Sequence, residues 1–332
     1  MRLDNLLRLT EGVLLTSPSV SAADGFALEP SSVQRGFAYF AKDRLVSSIE
    51  EAVKKGAYAI FTDKEVPISD PEIAWIRVES IEMALIRLMR FEVASCHHRL
   101  VHLSPLEYAL MRALSLPKSL CFLTDSLAHS FYTLMQASAP LCFFSTNRAL
   151  LGKIAPQFTT LPPALHAPQV LERSTLFQST FTHKERYYGH LPLSSIFISS
   201  FAQVVEFLDT LEVEYTPWHL KSIPHFEPLF VDKRLRIHPF GTTRQALIIE
   251  SDPALFEQEI AYIQTHFPTL SLFTCKPSGE ALHVKTTQTY ANVEALLSLD
   301  PHTFRYGLIL GDKEEIETTL SHQPNATQLT LF

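Results

Sequence analysis

Residues 33–41 read Val-Gln-Arg-Gly-Phe-Ala-Tyr-Phe-Ala, and residues 48–62 read Ser-Ile-Glu-Glu-Ala-Val-Lys-Lys-Gly-Ala-Tyr-Ala-Ile-Phe-Thr. Phe37–Ala41 and Tyr58–Thr62 are short aromatic and apolar runs, the pattern of buried strands. Between them Ile49, Ala52 and Val53 recur on one face of a helix over Ser48–Lys55. Lys54 and Lys55 fall in its last turn, where cations suit the negative end of the helix dipole. Gly56 follows at the position that favours a left-handed residue. Strand, helix and strand in this order form the unit of a parallel sheet, so the chain opens as α/β.

The same rhythm extends outward. Leu3, Leu6, Leu7 and Leu9 mark an opening amphipathic helix with Gly12 as its stop, and Val13–Leu15 a strand. Trp75–Val78 is a further strand and Ile81–Phe91 a helix. Ser104-Pro105-Leu106-Glu107 is a capping-box opening for the next helix. Strand Leu120–Thr124, helix Leu127–Ala137, strand Leu141–Ser145 and helix Arg148–Ile154, capped at Thr146-Asn147, predict a second parallel layer. Residues 156–168 hold four prolines and read as a linker or surface loop. Beyond it, the sequence predicts a strand over Ser195–Ser199, a helix over Ala202–Leu211 and a hairpin turning at Asp232-Lys233. Strand Ala246–Glu250, a helix from Asp252-Pro253 to His266, strand Ser271–Cys275, strand Gly307–Leu310 and helix Lys313–Leu320 complete it. The expected fold class is α/β: a small N-terminal α/β domain (1–95), a reduced parallel α/β domain (96–240) and a small C-terminal α/β unit (241–332). No internal repeat breaks this organisation.

Composition narrows the function. The net charge is −7 with no basic segment, which argues against nucleic acid and against polybasic docking on anionic membranes. Four cysteines stand far apart without a CxxC pair, which fits free thiols in a reducing compartment. The most apolar stretch, Ser119–Phe144, carries Asp125, His129, Gln136 and Pro140, so no membrane span is expected. The N-terminal leucines are interrupted by charges and do not form a signal peptide. The expected localisation is cytoplasmic.

Residues 1–92 resemble the N-terminal domain of Mur ligases, the ATP-dependent enzymes that build the peptidoglycan peptide. Leu6–Gly12 looks like that domain's opening. Val33, Gly36, Tyr39 and Ala41 match its strand entry, and Ala52, Lys55, Gly56, Ala57 and Ala59 match its helix end. Trp75-Ile76-Arg77-Val78 and Ala84-Leu85 look like its last strand and helix. In the family this domain holds the uridine nucleotide end of the substrate. Glu29-Pro30-Ser31 stands at the family's Asp-Ser-Arg place, and Lys42-Asp43-Arg44 at a shortened Asp-Gly-His loop. The resemblance implies a ligand site at Ser31, Ser32, Arg35, Lys42 and Arg44, with a UDP-sugar-type ligand or a protein as partner.

The family's central domain grips ATP on a glycine-rich loop ending Gly-Lys-Thr, because only bare backbone lets amides converge on phosphate. The corresponding bend here, Thr124-Asp125-Ser126-Leu127-Ala128-His129-Ser130, has neither glycine nor lysine, and Asp125 would repel an anion. Asn147–Ile154 imitates such a loop but lacks its first glycine and final hydroxyl. No cofactor is expected.

Other constellations carry weaker signals. Cys96, His97, His98 and His102 have metal-ligand types, but there is no HExxH pattern and no metal is expected. His183, Arg186, His190, Trp218 and His225, with His219, Tyr187 and Tyr188, form an alternative pocket on expected loops. Arg234, Arg236, His238 and Arg244 form either an anion site or the exposed face of a hairpin. Ser194-Ser195 and Ser199-Ser200 lack the setting of a serine nucleophile. The leading expectation is a non-catalytic binding or scaffolding factor linked to peptidoglycan precursors. The alternative is an active enzyme of unknown chemistry in the His183–His225 region.

Overall fold

The computed structural model describes residues 1–137, 140–217, 223–239, 241–298 and 304–322. The chain divides into two compact units, Met1–Tyr108 with Pro117–Leu161, and Ala109–Leu116 with the residues from Pro162 onward.

In the first unit the strands are β1 (Val13–Leu14), β2 (Gly25–Ala27), β3 (Phe37–Phe40), β4 (Ala59–Thr62), β5 (Ala74–Arg77), β6 (Arg99–His102), β7 (Leu120–Phe122), β8 (Cys142–Ser145) and β9 (Thr159–Thr160). The helices are α1 (Leu3–Thr10), α2 (Val46–Lys54), α3 (Ile81–Ser95), α4 (Pro105–Ala113), α5 (Leu127–Met135) and α6 (Arg148–Ile154). One sheet runs β1-β5-β4-β3-β2, parallel except for β1. A second, wholly parallel sheet runs β7-β8-β6-β9.

Alternation along β3 explains the first sheet. Ala38 and Phe40 enter the core shared with α3 and α5, while Tyr39 and Ala41 enter the core beneath α2. A strand covered on both faces reads as continuously apolar, which is why Phe37–Ala41 shows no polar face. Phe40 stacks on Phe61 at 4.3 Å, and Phe131 of α5 meets Phe40 edge-on at 6.1 Å. The two glycines of the opening motif meet: the Gly36 amide donates to the Gly56 carbonyl at 2.9 Å, and both take left-handed φ values, +93° and +87°. The expected left-handed role at Gly56 is therefore met.

Gly12 differs from its expectation. The residue after α1 that turns left-handed is Glu11, at φ 52°, whose amide bonds Leu7. Gly12 is small for another reason: a Cβ there would collide with Ile76 and come within 3.4 Å of Val78.

In the second unit β10 (Gln169–Thr175), β11 (Gln178–His183) and β12 (Arg186–Leu191) form an antiparallel sheet, followed by α7 (Ile198–Thr210). Then come β13 (Glu227–Val231), β14 (Ile237–His238), β15 (Gln245–Glu250), α8 (Pro253–His266), β16 (Leu272–Pro277), β17 (Gln288–Tyr290), β18 (Tyr306–Leu310) and α9 (Lys313–Ser321). Their sheet runs β14-β13-β15-β18-β16-β17, parallel from β15 to β17 and antiparallel at β13 and β14. Asp252 caps α8 through the amides of Ala254 and Leu255, as its Asp-Pro opening predicts.

Two expectations are corrected. Ser195–Ser199 is no strand: Ser195–Phe197 is a tight 3-10 turn that leads into α7. Its β-branched and aromatic residues are buried as part of a helical face, Phe197, Ile198, Phe201 and Val205, so tertiary packing overrides local β preference. His183, Arg186 and His190 lie on β11 and β12 rather than on loops. The matching mixed α/β architecture of parallel sheets and helices stands as expected.

Candidate functional site

Three helices of the first unit begin at one place. Each follows a parallel strand, so each N-terminus lies at a carboxyl-end edge of a sheet, where open α/β sheets collect ligands. Ser80 caps α3 through the Met83 amide at 3.4 Å, and Ser126 caps α5 through the His129 amide at 3.3 Å. Asn147 caps α6 through the Leu150 amide at 2.9 Å. Together with the turns after β3 and β4, these helix starts enclose a cavity of about 480 Å³. Its apolar lining is Ile81, Leu85, Ile86, Leu127, Ala128, Ala149 and Leu150. Its charged lining is Lys42, Arg44, Asp63, Glu82, Asp125 and Lys153.

Most of these charges are already matched. The Arg44 guanidinium donates twice to Asp63, at 3.0 and 2.7 Å, and Lys153 pairs with Glu82 at 3.2 Å. Asn147 Nδ2 donates to Asp125 Oδ1 at 3.0 Å. Lys42 is exposed and makes no ion pair among the described residues. Positive helix ends, one uncommitted ammonium and an apolar floor suit a ligand with an anionic group and an apolar or ring portion.

The bend expected to replace a phosphate loop is closed by its own side chains. Ser130 Oγ accepts the Thr124 amide at 3.2 Å and donates to the Thr124 carbonyl at 2.8 Å. Ser126 takes the His129 amide, and Asp125 is held by Asn147. The Thr124 backbone groups, the His129 amide and the Asp125 carboxylate thus already have partners, and the bend carries no lysine.

The sequence-derived ligand set divides. Lys42 and Arg44 line the cavity, whereas Ser31, Ser32 and Arg35 do not. Ser32 Oγ donates to the Glu29 carbonyl at 2.8 Å, and Lys55 Nζ donates to the carbonyls of Pro30 and Ser31, both at 3.2 Å. Arg35 packs against Gly56, where a Cβ would lie 3.3 Å from its side chain. Asp63, Glu82 and Lys153 were missed by sequence reasoning. The available signal was position for two of them, since Asp63 follows a strand and Glu82 lies in the opening turn of α3, whereas Lys153 lies in the last turn of α6.

The alternative set also divides. His183 is 2% exposed, and its Nε2 lies 3.3 Å from Glu206 Oε1 without hydrogen-bond geometry, so neither ring nitrogen is bonded. Burial holds His183 below its usual range despite Glu206. Burial works against the Glu206 charge, but the amides of Leu165 and His166 and the His166 ring outweigh it and keep the carboxyl below its usual range. Arg186 pairs with Asp209 at 3.2 Å, donates to the Tyr215 hydroxyl, and stacks over that ring at 5.1 Å. It lines a cavity of about 720 Å³ with Tyr187, Tyr188, Glu212 and Glu214. His190 is exposed and engaged through its backbone, and His225 is buried against Glu250. Trp218 and His219 lie outside the described residues. The basic group at the β13–β14 hairpin is organised by an acid: Asp232 pairs with Arg236 at 2.7 Å and with His238 at 3.2 Å.

Glu92, Cys96 and His98 bring three metal-ligand types together among the described residues. Their hydrogen bonds do not suit a metal. The Leu141 amide donates to His98 Nδ1 at 3.1 Å, so in the neutral ring Nε2 carries the proton and has no lone pair to give. The Cys96 thiol donates to Glu92 at 3.1 Å, and that bond, with burial, raises its pKa.

No family model matches the sequence, and no curated protein matches it. Solved structures do. A MurF ligase from Thermotoga maritima in complex with ADP aligns with a TM-score of 0.53 and 12% identity, over 89% of this chain and 97% of that one. MurF from Acinetobacter baumannii aligns with a TM-score of 0.54 and 10% identity, over 96% and 97%. A UDP-N-acetylmuramoylalanyl-D-glutamyl-2,6-diaminopimelate–D-alanyl-D-alanyl ligase from the same organism aligns with a TM-score of 0.51 and 11% identity, over 96% and 97%. At such identities the likeness concerns architecture alone, and it gives this chain a Mur ligase-like fold.

Proposed function

We propose that this chain is a non-catalytic Mur-ligase-like binding or scaffolding factor of the cytoplasm, tied to peptidoglycan precursors, that takes a UDP-sugar-type ligand in the cavity beside Lys42 and Arg44. The three-part division of the sequence, 1–95, 96–240 and 241–332, belongs to the same proposal. The carrying observation is the bend at Thr124–Ser130, which has neither glycine nor lysine and is braced by its own side chains. Ser130 occupies both backbone groups of Thr124, and Asn147 holds Asp125 where a triphosphate would need bare amides and a lysine. The neighbouring cavity keeps Lys42 and three helix starts for a smaller anionic group. No helix among the described residues is long and apolar enough to cross a membrane.

Isothermal titration with UDP-N-acetylmuramoyl-tripeptide and with ATP-Mg tests this reading. Heat is expected from the first, reduced in Lys42→Ala, and none from the second. Tight ATP binding with phosphate release would overturn it.

The Arg186 cavity of about 720 Å³ favours a second reading, an active enzyme of different chemistry in the second unit. A hydrolase and transferase screen on wild type and Arg186→Ala separates the two. Turnover lost in the variant would support the second.

A further inference from the structure

We propose that Glu259 is a proton-held latch on α8, seated beside the His225–Glu250 pair at the end of β15, that releases the helix when its own proton leaves. The three groups come from three segments of the second unit. Glu250 ends β15, Glu259 lies on α8, and His225 precedes β13. All are buried, with His225 8%, Glu250 1% and Glu259 0% exposed.

Their partners are unequal. His225 Nδ1 lies 3.1 and 3.0 Å from the two Glu250 oxygens, so its N–H serves that carboxylate. The Asp252 amide donates to Glu250 Oε1 at 2.9 Å. Glu259 has no such support: neither oxygen has a hydrogen-bond partner, and no Lys or Arg pairs with it among the described residues. The charged groups facing it are Glu250 at the end of β15 and Asp252 at the cap of α8, both acidic.

An ionised Glu259 would therefore sit dry, unpaired and beside another carboxylate, which is the least favourable state for a buried acid. A proton kept on Glu259 removes that conflict, while the Glu250 carboxyl is already engaged by the His225 ring and the Asp252 amide. Burial first, then Glu250 and Asp252, hold Glu259 well above the ordinary carboxylate range.

The folded chain thus keeps a proton that the unfolded chain releases near the usual glutamate value of roughly 4.3. The latch contributes fully below that value. Its contribution falls as pH rises and is gone once pH passes the folded value of Glu259. The helix α8 tightens in acid and loosens toward alkali.

Hydrogen–deuterium exchange of the full chain, followed at α8 and corrected for intrinsic rates, is the test. In wild type, opening of α8 should rise with pH by up to about tenfold per unit. Glu259→Gln should remove that slope while α2, in the other unit, behaves identically in both proteins. Equal slopes at α8 would overturn the latch. Should Glu259→Gln not fold, refolding of wild type at neutral pH in buffers of different ionisation enthalpy decides. Uptake of about one proton supports the latch, and no uptake overturns it.

Discussion

Asp232 lies at the β13–β14 turn in an environment opposite to that of Glu259. Burial disfavours its charge, but the amides of Arg236 and Arg234, the Arg236 guanidinium and His238 outweigh burial and hold its pKa far below the carboxylate range. The sign is that of a depressed acid. Its contribution is complete above the unfolded value and is lost as pH falls through the folded one. Asp232→Asn should weaken the hairpin at neutral pH and flatten its loss in acid, read by exchange at Glu227–Val231. An unchanged acid slope would refute the assignment. Burial also pushes the Cys142 and Cys275 thiols up to about 11. Both should resist a disulfide reagent in native protein at mildly alkaline pH and react on unfolding, because the thiolate is the reactive form. Residue roles were legible where one cause acts. Gly56 follows from backbone handedness alone. Gly12 does not, because its constraint is the distant side chain of Ile76, which the local sequence cannot reveal.

Helix starts were the most readable elements. The Ser104 amide donates to Glu107 at 2.7 Å, and the Glu107 amide donates to Ser104 Oγ at 3.3 Å, the reciprocal pair that the motif predicts. Ser104→Ala should destabilise the protein by about 1 kcal/mol in urea unfolding. Asn147→Ala should cost about 0.5–2 kcal/mol through the lost cap and leave Asp125 without its partner. A loss confined to a few tenths would mean the cap is replaced by water. The sheet of β10, β11 and β12 was not legible. Along β11 the buried positions include Ser179, Thr180 and His183, so no apolar alternation marks the strand. Two of those polar groups are satisfied, since Ser179 reaches the Leu193 carbonyl at 2.7 Å and Thr180 takes the His190 amide at 3.1 Å, whereas the His183 ring is not bonded.

Across the molecule, the strands of the first unit that are apolar runs between helix signals were readable, whereas β2, β6 and β9, short or flanked by polar residues, were not. The cavity was only half readable. Its lining comes from the turns after β3 and β4 and from three helix starts, and spacing along the chain says nothing of that convergence. The core beneath it makes a clear demand. Phe40→Ala, at a fully buried ring stacked on Phe61, should cost about 3–5 kcal/mol in chemical denaturation. A much smaller loss would show that the aromatic layer does not organise this unit. The bend from Thr124 to Ser130 carries a consequence for redesign. Deleting the buried Ser130 hydroxyl orphans the two Thr124 backbone groups that it bonds, a step downhill in stability. Building a phosphate grip here would mean replacing those bonds as well as adding bare backbone and a cation, which no single substitution does.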